Sequence, residues 1–502
     1  MNADVIVIGA GPNGLAAAIR LAEAGRSVVV IDGADAPGGA VRTEELTLPG
    51  FRHDTYSSVY PAAAASPVFA RMPLADHGLE WVHPEACSAH PLPDGRAAIL
   101  YRDLAATAAS LDRLHSGDGQ AWHDFARPFV EHFEAVRATT LAGFPPIAGP
   151  LRLLTQAGPR ASLAFARLLP GSAAALGRRL FQAPDCRAWL YGAAMHGDIA
   201  PTGAGTAIAS AYLNFMGHAV GWPSPRGGAQ ALTDALVAYL RSLGGEIHTS
   251  TRVQTITSAG GHVTGIASAA GETIGARVVI ATVMPSALLA MTGDALARWY
   301  RAGLQRYVYG PATVKVDWAL DGPIPWTNPE VRGAGTVHVG GSEDACLAAA
   351  AASRTGLPEH PFLLLGQQSV ADPTRAPAGK HTAWAYTHGP RDGVDWASEQ
   401  DRHVERMEAQ VERFAPGFRD RILARHVLGP EDFERRNPNL TGGDVGGGSY
   451  RLRQVLFRPL PTISPYRTPL EGLYLGSSAA FPGGAVHGVP GDAAARAALR
   501  NR

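Results

Sequence analysis

Three glycines near the amino terminus, Gly9, Gly11 and Gly14, stand in "GAGPNG" at the spacing GxGxxG, and Asp32 follows 18 residues after the last of them. Such a set suits dinucleotide binding. The first glycine allows a tight turn, the second admits a pyrophosphate against the backbone, and the third lets helix and strand pack closely. Pro12 and Asn13 complete the loop, and Asp32 at the tip of the next strand can accept the ribose hydroxyls. A second glycine pair, Gly38–Gly39, comes just beyond, followed by Arg42 and Thr43 in "APGGAVRTEELTLPGF". A nicotinamide-binding unit would normally enter its next helix there. A longer dinucleotide with a ribityl chain gains from another close backbone approach and a nearby guanidinium, so the pattern favours FAD over NAD. The plain alternative at that place is a glycine turn with a surface arginine.

The elements that must position these residues read directly from "DVIVIGAGPNGLAAAIRLAEAGRSVVVIDGAD": strand, turn, helix, turn, strand. Val5 to Ile8 is the unbroken apolar run of a central parallel strand. The helix after it offers free N–H groups and a positive dipole end to phosphates, and Gly25 ends that helix. At 225–240, "PRGGAQALTDALVAYL" opens an amphipathic helix from a glycine turn, and short strands follow as far as "VVIAT". We read a return to the first sheet, with the backbone of Val253 against adenine and Ala281 beside the cofactor; ordinary buried strand positions are the alternative. The chain closes on another strand–glycine–helix passage, "GLYLGSSAAFPGGAVHGVPGDAAARAAL".

Composition narrows the classes. The 502 residues, 46% hydrophobic and 18% charged, suit a soluble globular protein of two or more domains. With 44 basic against 44 acidic residues, no global field points to nucleic acid. Cys87, Cys186 and Cys346 share no metal or redox spacing, the 18 histidines show no zinc pattern, and we expect no metal. No signal peptide is read, and no apolar run reaches the roughly 20 residues that span a bilayer. The expected location is cytoplasmic. One stretch stands apart: seven arginines fall between Arg137 and Arg187, interleaved with "LRLL", "LAFARLL" and "LGRRLF". It is either a basic amphipathic surface touching anionic lipid, at the periphery of a membrane, or a solvated helical face.

Taken together, "GAGPNGLAAA", "GGAVRTEELTLPGF", "PRGGAQAL", "DPTRAPAGKH", "RFAPGF" and "YRTPLEGLYLGSSAAFPGG" resemble the FAD-dependent phytoene dehydrogenase-like oxidoreductases. The nearest branch is the pyridine nucleotide-disulfide oxidoreductase-like one, related to carotenoid desaturases and flavin amine oxidases. "GGAVRT" departs from the commoner pattern, in which arginine follows the glycines directly. The resemblance implies an α/β fold: a Rossmann-type FAD-binding domain (1–79, 225–299 and 451–502) with an inserted α+β substrate domain (80–224 and 300–450). It implies that the carboxy-terminal passage returns to the first sheet, so that Gly476, Ser477, Gly483, Gly484, Ala485 and Val486 meet the flavin ring. The two glycine loops would then serve one cofactor.

The resemblance also implies that Lys315 in "ATVKVDWAL" stands near flavin N5 through water, unless it simply pairs with Asp317 on the same face of the strand. His487 would lie at the flavin edge and move a proton, or hold a turn. His53, Tyr56 and His218 are candidates for the substrate cavity. No cysteine occupies the carboxy-terminal motif, so FAD is expected to be non-covalent. Small residues there suit an apolar or conjugated substrate better than a cationic amine. The implied activity is hydride transfer between a carbon substrate and flavin N5, desaturation first, with reduction or isomerisation related, and an electron acceptor of unassigned class. A peroxide-forming flavin amine oxidase and a non-catalytic FAD-stabilised interaction protein are the alternatives.

Overall fold

Ala3 to Arg500 are described by a computed structural model. Five short strands build a parallel sheet in the order Leu473–Leu475, Val278–Ala281, Val5–Ile8, Val28–Ile31, Glu246–His248, the first four fully apolar and the edge strand Glu246–His248 partly exposed. The register is in step across the sheet: Ile8 stands beside Ile31 and Ala281, Ala281 beside Leu475, and Ile31 beside His248. The next residue of each strand therefore emerges at one carboxyl edge. The amides of Gly9, Asp32, Thr282 and Gly476 each donate to the carbonyl of a neighbouring strand, at 2.8–3.0 Å. Chain segments hundreds of residues apart in sequence thus open onto one crevice, the place where parallel sheets bind ligands.

Helix Pro12–Glu23 leaves that edge and lies against the carboxy-terminal helix Val489–Leu499. The approach is close because both helices present small residues. A Cβ on Gly491 would come within 1.8 Å of the Asn13 carbonyl oxygen. Asp492 of the second helix joins Arg20 and Arg71, each at 2.8 Å.

The stretch around Val253 differs from the expectation. Val253–Ala259 does not join the parallel sheet but forms a separate antiparallel unit with His262–Ser268 and Thr273–Gly275. In its sequence, "VQTITSA", only Val253 and Ile256 are buried and most other positions face solvent. A strand with one wet face suits an antiparallel edge unit and not the centre of a parallel sheet.

A second sheet of seven strands runs Ile422–Leu428, Ala312–Leu320, His381–Gly389, Leu363–Gly366, Ala334–Val339, Ala86–Pro91, Ala97–Leu100. These strands come from 80–224 and 300–450. A run of helices from Leu104–Asp112 to Thr206–Val220 packs around an aromatic centre, with Phe129 and Phe215 stacked at 5.0 Å and Trp122 edge-on to Trp189 at 5.0 Å. Of the seven arginines in the basic stretch, Arg137 pairs with Glu134 and Arg187 with Glu343, whereas Arg152, Arg160, Arg167, Arg178 and Arg179 are exposed. No helix among the described residues is long and apolar enough to cross a membrane.

Candidate active site

The crevice at the carboxyl edge of the parallel sheet continues into a cavity of about 670 Å³ that reaches the seven-stranded sheet. Its first half is a dinucleotide cradle. Gly9 has φ +102°, and a Cβ there would lie 2.5 Å from Thr282 Oγ1; one on Gly14 would lie 1.8 Å from the Gly9 carbonyl oxygen. The loop therefore closes only with glycine at both positions. The Gly38–Gly39 turn leans on it: the Gly38 amide donates to the Ala10 carbonyl at 2.9 Å, and a Cβ on Gly39 would lie 3.1 Å from Gly11 Cα.

Asp32 is held by two backbone amides, Ala10 to Oδ2 at 2.6 Å and Ala34 to Oδ1 at 2.8 Å. Each oxygen keeps a lone pair for a ribose hydroxyl. The following helix has no side-chain cap and no acid in its first turn, which leaves its N–H groups and dipole for an anion. Asn13 Oδ1 is buried in the same wall without a hydrogen-bond partner. These residues fit the ribose and pyrophosphate of a dinucleotide.

Gly9, Gly11, Pro12, Asn13, Gly14, Asp32, Gly39, Arg42, Val253, Ser477, Gly484, Ala485 and Val486 all line the cavity, as does Tyr56. Arg42 is held in place by Asp35 at 3.2 Å. Other candidates stand behind the wall. Gly38 braces the turn, and Ala281 is buried one residue short of Thr282, which reaches the cavity instead. Gly476 packs under the last helix, 3.2 Å from Ala494 Cβ for an added Cβ, and Gly483 faces Arg458. Ala485, with φ +78°, is a non-glycine residue in the left-handed region, held in a conformation that costs about 1–3 kcal/mol.

The catalytic and substrate candidates are placed differently from the cradle. Lys315 stands directly across from Tyr386 in the antiparallel register, on the same face of the sheet. Its ammonium does not line the cavity but is hydrogen-bonded to Asp317, both side chains being buried. His53 Nδ1 lies 3.6 Å from Asp317, and the Asp54–Arg375 pair, at 2.8 Å, is fully buried in the same network. Burial drives the Asp317 carboxyl up to about 6 despite Lys315, and it drives His53 down to about 3 with the help of that cation. An ammonium without water must find a carboxylate, and the nearest one two residues along decides where it points.

His487 is a turn residue in the fold. Its Nδ1 accepts from the Val489 amide at 3.2 Å and its Nε2 faces the Gly484 carbonyl at 3.1 Å, so both nitrogens are used. His218 turns away from the cavity: it accepts from Trp122 Nε1 at 3.1 Å inside the aromatic centre, while Leu213 and Met216 of its own helix face the cavity. Burial lowers both histidines to about 4, keeping them neutral.

Several lining residues were missed in the sequence. Trp384, Tyr386 and His388 share one face of strand His381–Gly389, and the alternation in "HTAWAYTHG" carries that signal. With Trp222 they add an aromatic surface to a cavity that the small residues of the carboxy-terminal loop also line. Arg458, 1% exposed, donates to the carbonyls of Gly447, Gly448, Ser449 and Ser478 at 2.9–3.1 Å and lies over the Tyr450 ring. It ties the "VGGGSY" loop to the carboxy-terminal glycine turn. The glycine run alone could have flagged that loop; its partner 10 residues on could not be read.

Three carboxylates line the cavity, and each is engaged. Besides Asp32, Asp198 accepts from the Tyr450 amide at 2.7 Å and from Ser449. Asp444 accepts from the amides of Gly310, Gly446 and Gly448 at 2.7–2.9 Å, while burial raises its pKa above the usual carboxylate range. A second cavity of about 460 Å³ shares Asp198, Tyr386 and His388 with the first.

Comparison with known proteins agrees with this geometry. The family model "Flavin containing amine oxidoreductase" matches residues 13–498. The chain is 28% identical to pyridine nucleotide-disulfide oxidoreductase domain-containing protein 2 of Rattus norvegicus, over 99% of this chain and 93% of that one. It is 26% identical to phytoene desaturase (neurosporene-forming) of Rhodobacter capsulatus, over 97% and 92%. Among solved structures, a triple mutant of putrescine oxidase shares the fold with a TM-score of 0.62 at 17% identity, over 99% of this chain and 98% of that one. Bound in the cradle, FAD supplies two-electron redox chemistry. The chain belongs to the flavin-containing amine oxidoreductase family and is an FAD-dependent oxidoreductase.

Proposed function

We propose that this enzyme dehydrogenates an apolar or conjugated carbon substrate, with desaturation foremost and reduction or isomerisation as related outcomes. The observation that carries this reading is the state of the cavity's acids. Asp32, Asp198 and Asp444 each already accept at least two hydrogen bonds from the protein. A cationic amine entering beside Trp222, Trp384 and Tyr386 would have to compete with these protein hydrogen bonds for its countercharge, and desolvating it without a dedicated partner is costly. An apolar chain meets aromatic faces and leaves nothing unpaired. The desaturase relative supports the same direction.

A second reading, amine oxidation, draws on the aromatic surface itself, since ring faces attract cations. Anaerobic mixing with a panel of alkenes, polyenes and primary amines separates the two. Bleaching of the flavin by alkenes or polyenes is the expected result; bleaching by amines alone, with peroxide released in air, would install the second reading. Acid precipitation should release the flavin into the supernatant, because the carboxy-terminal motif "SSAAFPGGAVHG" contains no cysteine to hold it.

We also infer contact with an anionic membrane surface through helix Ala148–Leu168. Ile147, Leu151 and Leu154, spaced by four and three residues, are exposed by 69%, 59% and 46%. They form one apolar stripe beside exposed arginines, the composition of a helix that lies in a lipid interface. Such a face would let an apolar substrate reach the enzyme without crossing water.

A further inference from the structure

At the far end of the cavity the ring of His196 is clamped edge-on between two neighbours. Trp222 lies 5.6 Å from it and His338 5.1 Å, both at 81°. His196 Nε2 and His338 Nε2 are 2.9 Å apart, a hydrogen bond in which one nitrogen donates and the other accepts. Burial lowers His196 to about 4 and holds His338 well below the ordinary histidine range, so both rings are neutral at pH 7 and each carries one proton.

The surroundings of His338 decide which. Its Nδ1 is buried without a hydrogen-bond partner and faces Gly192, so near that a Cβ on Gly192 would touch it. A proton there would be an orphaned buried N–H, which native structures avoid more strictly than an unpaired acceptor. His338 therefore carries its proton on Nε2 and donates to His196. That bond leaves His196 protonated on Nδ1, a nitrogen with no hydrogen bond among the described residues, on a half-buried ring in the cavity wall.

We propose that His196, locked as its Nδ1–H tautomer by His338, anchors a carbonyl oxygen of an otherwise apolar substrate. The natural substrate would then be an oxygenated lipid-like molecule and not a pure hydrocarbon, with His338 as the positioning residue. This rests on the reading that the cavity takes an apolar carbon skeleton.

The test uses the full-length FAD-loaded enzyme and three probes of matched length: 2-tridecanone, 1-tridecene and tridecylamine. Each is titrated against the visible flavin spectrum. The ketone should half-saturate at about tenfold lower concentration than the alkene, the worth of one good neutral hydrogen bond. His196→Phe, which keeps a ring but no donor, should bring the ketone to the alkene's level while leaving the alkene unchanged. His338→Gln, whose amide can still donate, should keep the preference, and His338→Leu should lose it. Equal ketone and alkene binding in the wild type overturns the anchor and leaves the apolar-substrate reading standing, whatever the variants do. A preference that survives His196→Phe also overturns it. If only the amine, or no probe, perturbs the flavin, the apolar-substrate reading falls and the anchor falls with it.

Discussion

Lys315 shows how a single side chain is decided by its nearest countercharge. The lysine lies on the cavity-facing side of its sheet, yet its ammonium is committed to Asp317 inside a buried network with His53, Asp54 and Arg375. Removing one member of a buried pair leaves the other charge without compensation, at a cost of about 3–5 kcal/mol. Lys315→Met should therefore lower thermal stability and soluble yield sharply, while the folded, FAD-containing fraction keeps its flavin reduction rate within a few-fold. Stopped-flow rates normalised to flavin content check this. A hundredfold slower reduction in a stable variant would instead return Lys315 to the chemistry, at the scale of a positioned proton-transfer group. His487 stands at the same level: with both ring nitrogens holding the carboxy-terminal turn, its place in the fold is that of a brace.

Among the elements, helix Ala148–Leu168 is the one whose exposed face asks for a partner. Gly158, at φ +81°, interrupts it before Pro159, and proline suits the first turn of the helix that resumes. The break resets the phase, so that Leu163, 53% exposed, follows the stripe of Ile147, Leu151 and Leu154. Arg152, Arg160 and Arg167 are exposed beside these residues. Co-sedimentation should show binding to phosphatidylserine-containing vesicles, weaker binding to pure phosphatidylcholine, and loss at high salt as the arginine charges are screened. Replacing Leu151 and Leu154 together by Asp should abolish sedimentation without changing flavin content. Wild-type protein that stays in the supernatant with both vesicle types would overturn the membrane contact.

Across the whole molecule, the buried histidines set a common response to acid. His90, His196, His218, His388, His403 and His487 are each lowered to about 4, and His53 to about 3, with burial the first cause in every case. The unfolded chain binds protons at these sites from about pH 6.5 downward, whereas the native protein resists until about pH 4. A group with a depressed native pKa contributes stability that is present above its unfolded value and lost as pH falls. Asp317, raised to about 6, and Asp444, also raised by burial, act in the opposite direction, losing stability as pH rises above about 4, but they are two groups against seven. The melting temperature should therefore fall steadily between pH 6.5 and 4.5, followed by flavin release or near-ultraviolet circular dichroism. A flat profile over that range would show that the histidines are not buried as a set.

The amino-acid order by itself determined the cradle. GxGxxG, Asp32 and the Gly38–Gly39 pair act through local backbone geometry, and a tight turn or close approach needs only its own few residues to specify it. The same is true of Val5–Ile8 and Val28–Ile31, whose unbroken apolar runs suit strands buried on both faces. Only the tertiary structure decided what faces the cradle. Trp384, Tyr386 and His388 were legible as one face of a strand but not as a wall of this cavity, since which sheet face turns inward depends on the packing of distant segments. His196 became a candidate only when the fold set it 2.9 Å from His338, 142 positions away. Lys315 went the other way: strand periodicity put it on the correct face, and the desolvation cost of a bare ammonium turned it from the cavity to Asp317.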